Sequence, residues 1–234
     1  QGWDYEALDP AARKRFEVAL HAGTTAAMLL RHRRELAASL RGRPPGASPA
    51  RVVVLACVPA ALAGTLLQGP IERRAGTPAT IAAALAAGAV AMVAADRHAG
   101  RLRLRADAGT ADAVALGAAQ ALALIPGVSR SGATRAAARW RGFSRTEADA
   151  LSGAVGLPIT LAALALKGRE AALRSERSEW GPLGVGALGA FASTLATAEA
   201  LARVGRGRTL LPYAAYRVAL AGAVVRRLRQ NEGR

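Results

Sequence analysis

One arginine, two serines and a threonine crowd between two glycines in Ile125-Pro126-Gly127-Val128-Ser129-Arg130-Ser131-Gly132-Ala133-Thr134. The guanidinium of Arg130 and the hydroxyls of Ser129, Ser131 and Thr134 can all donate to an oxyanion, phosphate first among them. Gly127 and Gly132 let backbone N–H groups come close to such a ligand. The run before the motif, Ala113 to Ser129, carries no charge. An arginine that closes such a run sits in apolar surroundings, where an ionisable group is costly and points to function. Gln120, upstream on the same run, either holds a water or a metal ion or hydrogen-bonds a neighbouring helix. A serine nucleophile would need an activating base, and no histidine or lysine lies within the motif. Binding is therefore preferred to covalent catalysis for Ser129 and Ser131.

The elements that must position these groups are short. Asp112 to Ile125 reads as an apolar helix that stops at Pro126, and residues 133–142 read as a second helix of small residues. Helix, Pro-Gly break, helix is the pattern of a re-entrant hairpin over residues 112–142. Irregular backbone at membrane depth is tolerated only where it is buried in protein or lines a polar cavity. The tip, Gly127 to Thr134, would then carry the positive end of the second helix dipole, which favours an anion.

Around the hairpin lie longer apolar runs: Val52 to Gly69, Pro78 to Ala95, Ala150 to Leu166, Trp180 to Ala198, and Leu210 to Val225 with Arg217 inside. Residues 16–30, with Glu17 and His21, form a shorter sixth candidate. Arginine-rich stretches separate the runs, the arrangement of loops between membrane spans. The predicted fold is an all-α polytopic membrane bundle, with loops 31–51, 96–110, 135–147 and 203–208 on the cytoplasmic side. Asp9-Pro10 predicts a helix start, and residues 41–50 a Pro/Gly/Ser loop.

The 234-residue chain has a formal net charge of +16. Its arginines form no single patch and no aromatic side chains interleave with them, so nucleic acid is excluded as a partner. The alternative of a soluble basic helical bundle does not account for apolar runs spaced between arginine-rich loops. The single cysteine, Cys57, allows no disulfide within the chain and reads as a small buried hydrophobe. His32 and His98 fall in basic loops and read as solvated.

The stretch Gln120 to Thr134 resembles the second signature of the bacterial undecaprenyl-diphosphatases of the bacitracin-resistance type, a Pro-Gly-x-Ser-Arg-Ser-Gly-x-Thr run. The resemblance continues through Gly142-Phe143-Ser144-Arg145 and Pro158. It returns at Leu211-Pro212-Tyr213-Ala214-Ala215-Tyr216-Arg217, similar to the family's last helix, and at Phe16 to Thr24, similar to its first full span.

The resemblance implies a multi-pass enzyme of the bacterial inner membrane. It would hydrolyse undecaprenyl diphosphate to undecaprenyl phosphate and phosphate, recycling the lipid carrier for peptidoglycan synthesis. It implies Arg130, Ser129, Ser131 and Thr134 as catalytic, Gly127, Gly132 and Gln120 as substrate-binding, and a divalent cation, Mg2+ or Ca2+, as cofactor. It also implies an inverted repeat, with residues 1–95 holding about three spans and residues 96–234 the re-entrant pair and about three more. The partners expected are the lipid substrate and membrane lipid, with a homodimer left open.

The family's first signature, a glutamate pair followed by a Pro-x-Ser-Ser-x-Gly-His run, has no counterpart before Phe16. An N-terminally truncated chain is the expectation, with the metal ligands unknown. The corresponding alternative is a catalytically impaired homologue that binds lipid phosphate without turnover. Glu17 and His21 are four apart on one helix face and either line the site or simply orient their helix.

Overall fold

The computed structural model describes residues 9–40, 50–98, 103–174, 180–205 and 209–232. The expected loop at 41–50 lies almost wholly outside them, the loops at 96–110 and 203–208 in part, and so does the His32 side chain. Among the described residues eight α-helices follow one another: α1 (Pro10–Leu40), α2 (Ala50–Ala75), α3 (Pro78–His98), α4 (Thr110–Leu122), α5 (Arg130–Trp140), α6 (Arg145–Arg174), α7 (Trp180–Gly205) and α8 (Leu211–Glu232). Among the described residues no strand forms, only a single bridge between Arg103 and Phe143.

Among the described residues four stretches are long and apolar enough to cross a membrane: Ala50–Ile71, Pro78–His98, Arg145–Leu166 and Trp180–Ala200. The runs at 16–30 and 210–225, counted as spans in the sequence, do form helices but fall outside this set. The reason is charge: Glu17, Arg31 and Arg33 dilute α1, and Arg217, Arg226 and Arg227 dilute α8. Pro59 and Pro158 sit inside α2 and α6 without ending them. In membrane helices neighbouring groups can satisfy the backbone that proline frees.

The chain divides into two compact units, each drawn from two separate stretches of the sequence. The first takes Gln1–Pro44 and Thr160–Arg206. Within it α1 lies along α7. Asp9 caps α1 by accepting from the N–H groups of Ala11 and Ala12 at 2.7 and 2.9 Å, with Pro10 at the first helical position. Phe16 and Leu20 rest on Gly186, and the Arg31 and Glu199 side chains meet at 3.5 Å.

The second unit takes Pro45–Ile159 and Gly207–Arg234 and holds the motif. In it α2 packs on α4, α3 packs on both α5 and α8, and α4 pairs with α5. Its main core joins Val52 and Ala56 of α2, Ala113 and Leu116 of α4, Ala138 and Phe143 around the end of α5, and Leu151 and Val155 of α6. Ala56, Ala113 and Ala138 among them let helix axes come close, as suits packing in lipid.

Candidate functional site

The α4–α5 hairpin is built from local rules. The α4 helix tightens at its end: the N–H groups of Leu124 and Ile125 bond back three residues, to Ala121 and Leu122, at 3.1 Å. Pro126 cannot continue the ladder. Ile125 to Val128 then forms a turn closed by a 3.0 Å bond from the Val128 N–H to the Ile125 carbonyl. Gly127 has φ +95°, which with Pro126 before it is the type II arrangement. A Cβ on Gly127 would lie 2.5 Å from the carbonyl oxygen of Ile81. Only glycine fits, on both counts.

Ser129 then caps α5, its Oγ accepting from the Gly132 N–H at 3.2 Å. The helix ends eleven residues later in a Schellman motif. Gly142, at φ +87°, donates to Arg139 at 2.9 Å, and Phe143 donates to Ala138 at 3.1 Å.

Neither arm can cross a bilayer: 13 and 11 residues span about 20 and 17 Å against a hydrocarbon core of about 30 Å. The contacts with α3 set the tip's level. Arg139 bonds Asp96, Gly132 sits against Met92, and Gly127 meets Ile81 and Ala84. Along α3 the distance from Asp96 to Ile81 is about 22 Å. The start of α5 therefore lies alongside the middle of an apolar helix, and the Gly127 turn beside its first two turns.

The expected site residues distribute as follows. Arg130 occupies the first helical position of α5 and donates from Nη1 to the carbonyl of Gly156 on α6. Gly156 is the flat surface this guanidinium lies on, a Cβ there being 3.1 Å from Cζ. Ser131 is exposed, and its Oγ is 3.3 Å from that of Ser129. These three side chains and Gly127 gather at the tip.

Thr134 lies one turn further along the same α6-facing side of α5 and is sealed within it. It is 1% exposed, and its hydroxyl reaches the Arg130 carbonyl at 2.9 Å and the Ser152 hydroxyl at 2.6 Å. In this arrangement it joins α5 to α6. Gly132 serves close packing of α5 on α3, since a Cβ would lie 2.9 Å from the Met92 sulfur. Gln120 is 3% exposed and donates from Nε2 to Ala56 of α2 at 2.9 Å, while its Oε1 has no donor.

Two carboxylates that the sequence reading passed over hold the base of the hairpin. Asp112 is 1% exposed. It accepts from both Arg103 Nη atoms at 3.0 and 2.8 Å, from Arg141 Nε at 2.7 Å, and from the Gly109 N–H at 2.9 Å. The Arg103 guanidinium also lies 4.4 Å from the centroid of the Phe143 ring. Burial works to raise the Asp112 pKa, but these hydrogen bonds and the Arg103 charge prevail and hold it down at about 2.

Asp96 accepts from Arg139 at 3.2 Å, Arg145 at 2.8 and 3.0 Å, Thr209 at 2.6 Å and the Leu210 N–H at 3.2 Å. One buried acid thus joins α3, α5, α6 and the start of α8. The arginines around both acids were grouped in the sequence with the arginine-rich stretches between apolar runs. The available signal was that Asp96 and Asp112 flank the arginine run at 97–105.

Glu17 and His21 belong to the first unit. Glu17 lies 3.4 Å from Lys14, and His21 Nδ1 lies 2.8 Å from the Glu17 carbonyl. His98 is exposed as expected, but it stacks on Trp140 with centroids 4.4 Å apart. Among the described residues no three His, Cys, Asp or Glu side chains gather to hold a metal ion. The described donor set therefore does not by itself fit a divalent cation, and no chemical step is derived through one.

A family model described as bacitracin resistance protein BacA matches residues 4–223, which include the hairpin, its clamps and the helices that carry them. The chain belongs to the BacA family. With four helices among the described residues long and apolar enough to cross a membrane, this BacA-family chain is a multi-pass protein of the bacterial inner membrane.

Relatives named undecaprenyl-diphosphatase accompany the family match. The one from Anaeromyxobacter dehalogenans is 42% identical over 171 residues, 68% of this chain and 58% of the relative. The chain thus matches less than two thirds of that protein's length. Those from Ruegeria sp. and Idiomarina loihiensis are 34% and 31% identical, over 87% and 94% of this chain and 80% and 84% of their own lengths.

Proposed function

We propose that this BacA-family chain is an undecaprenyl-diphosphate phosphatase, and that the hairpin tip binds the diphosphate. The observation that carries the reading is the position of Arg130. It stands beside the Ser129 cap, at the positive end of α5, level with the middle of α3. In apolar surroundings such a cation, two hydroxyls and a helix N-terminus favour an anion strongly. A lipid diphosphate is the anion that reaches this depth with its tail among apolar helices. Relatives bearing the undecaprenyl-diphosphatase name supply the substrate.

In this reading Arg130 and the Ser129 and Ser131 hydroxyls hold the terminal phosphoryl group. They stabilise the charge that builds on its oxygens as water attacks phosphorus. A new P–O bond forms to water, the P–O bond to the bridging oxygen breaks, and the lipid monophosphate leaves. Arg130 would leave the Gly156 carbonyl, or share its donors with it, when the anion arrives. A requirement for Mg2+ or Ca2+ stands on the family resemblance alone. It is tested by chelation followed by readdition of each ion. Homodimer formation is tested by native mass spectrometry from detergent.

The deciding experiment measures phosphate release from undecaprenyl diphosphate by the gene product carrying this chain, reconstituted in lipid. Arg130→Ala should lower kcat/KM by at least about a hundredfold, the usual cost of a lost charge-stabilising donor. Normal phosphate release from Arg130→Ala would falsify the assignment. Tight binding of the lipid diphosphate by the unaltered protein without any release would favour a binding role over an enzyme.

A further inference from the structure

Arg217 stands inside an apolar stretch of α8 and is 8% exposed. It donates from Nη2 to the carbonyl of Gly127 at 2.6 Å. The route passes α3 at Gly88, where a Cβ would lie 2.6 Å from Nη2 and 3.4 Å from Cζ. Its Nε–H is buried with no acceptor, and among the described residues no carboxylate pairs with this guanidinium. A buried cation so poorly compensated is expensive. The neighbouring contacts of α8 with α3, through Leu210, Ala221 and Val224, are apolar and need no charge. Packing therefore does not explain Arg217.

The Gly127 carbonyl explains it. The turn's own hydrogen bond uses the Ile125 carbonyl and the Val128 N–H, so the Gly127 oxygen points out of the turn and needs an outside donor. At membrane depth an unmatched carbonyl is strongly disfavoured relative to a bonded one. Val128, Ser129 and Arg130 follow directly. Whatever fixes the Gly127 peptide fixes the start of α5, and with it the cap and the guanidinium.

We propose that Arg217 is a positioning residue: it latches the hairpin tip through the Gly127 carbonyl, and Gly88 is the opening through which it reaches. The kinetic consequence rests on the reading of the tip as the diphosphate site; the latch itself does not.

Two measurements test it on the protein in lipid nanodiscs. The first is amide hydrogen exchange over 123–132. Arg217→Ala and Gly88→Ala should each speed exchange there by at least tenfold, while α6 and the base of α5 stay protected. Alanine suits a helix interior better than glycine, so Gly88→Ala keeps α3 intact and displaces only the flexible guanidinium end. It carries the test even if Arg217→Ala fails to fold. The double variant should be no worse than either single one, because both break one contact. Arg217→Lys, which keeps a donor, should recover part of the protection.

The second measurement is phosphate release. Loss of positioning should lower kcat about tenfold to a hundredfold, with KM changed by less than about threefold. Unaltered exchange at the tip in both single variants overturns the latch. So does additive loss in the double variant. A rise in KM with kcat and exchange unchanged also overturns it, and makes Arg217 a direct substrate contact. If the unaltered protein releases no phosphate, the function proposed above fails while the exchange arm still decides the latch.

Discussion

Four residues apart on α5, Arg130 and Thr134 do different work. Arg130 opens the helix at the tip, whereas Thr134 is sealed against Ser152. Thr134→Val should lower stability in detergent by about 1–3 kcal/mol, because it leaves the Ser152 hydroxyl buried without its partner. KM for the lipid diphosphate should stay within about twofold; a large rise in KM with unaltered stability would return Thr134 to the phosphate. Asp112 supplies a pH signature. Its carboxyl titrates near 2 in the folded protein, against 3.8 for the free side chain. Its contribution is therefore complete above about pH 5 and disappears as pH falls through 2. Comparing thermal midpoints from pH 6 to pH 2, Asp112→Asn should begin lower and decline less steeply than the unaltered protein. The motif itself was legible because ten consecutive residues contain it. The direction of the Thr134 hydroxyl was not, since it depends on how α5 meets α6.

The hairpin is the element on which those residues depend, and it rests on its turn. Gly127→Ala would place a side chain at positive φ and against the Ile81 carbonyl. A loss of about 2 kcal/mol or more is expected, with phosphate release falling more than tenfold, measured by detergent unfolding and by turnover. Pro126 and the Pro-Gly break located the turn in the sequence, and Ser129 its cap. The clamps at Asp96 and Asp112 stayed hidden, because sequence shows neither which arginines return to which acid nor that Thr209 and Leu210 complete the set. Charge patterning counted them as loop residues. The apolar runs at 16–30 and 210–225 were plain too, but α1 and α8 extend past them and take in charges at their ends.

At the scale of the whole molecule, α1 and α7 make a pair far apart in sequence. The Thr24 and Thr194 hydroxyls are 3.4 Å apart. With Cys57 replaced by alanine, Thr24→Cys combined with Thr194→Cys should cross-link under mild oxidation in intact membranes, seen as a mobility shift on gels. Failure to cross-link would argue against the α1–α7 packing. That pairing was beyond sequence reasoning, which orders helices along the chain and not across it. The two clamps have a further consequence, for topology. Asp96, where α3 ends, holds Arg145, where α6 begins. Everything between them is an excursion that leaves one membrane surface and comes back to it. Side-specific reporters placed before Arg103 and after Phe143 should thus read the same compartment. The hairpin alters the depth of the chain and leaves its parity untouched. A turn carrying an arginine can therefore be set in the apolar layer without reversing the orientation of any later helix.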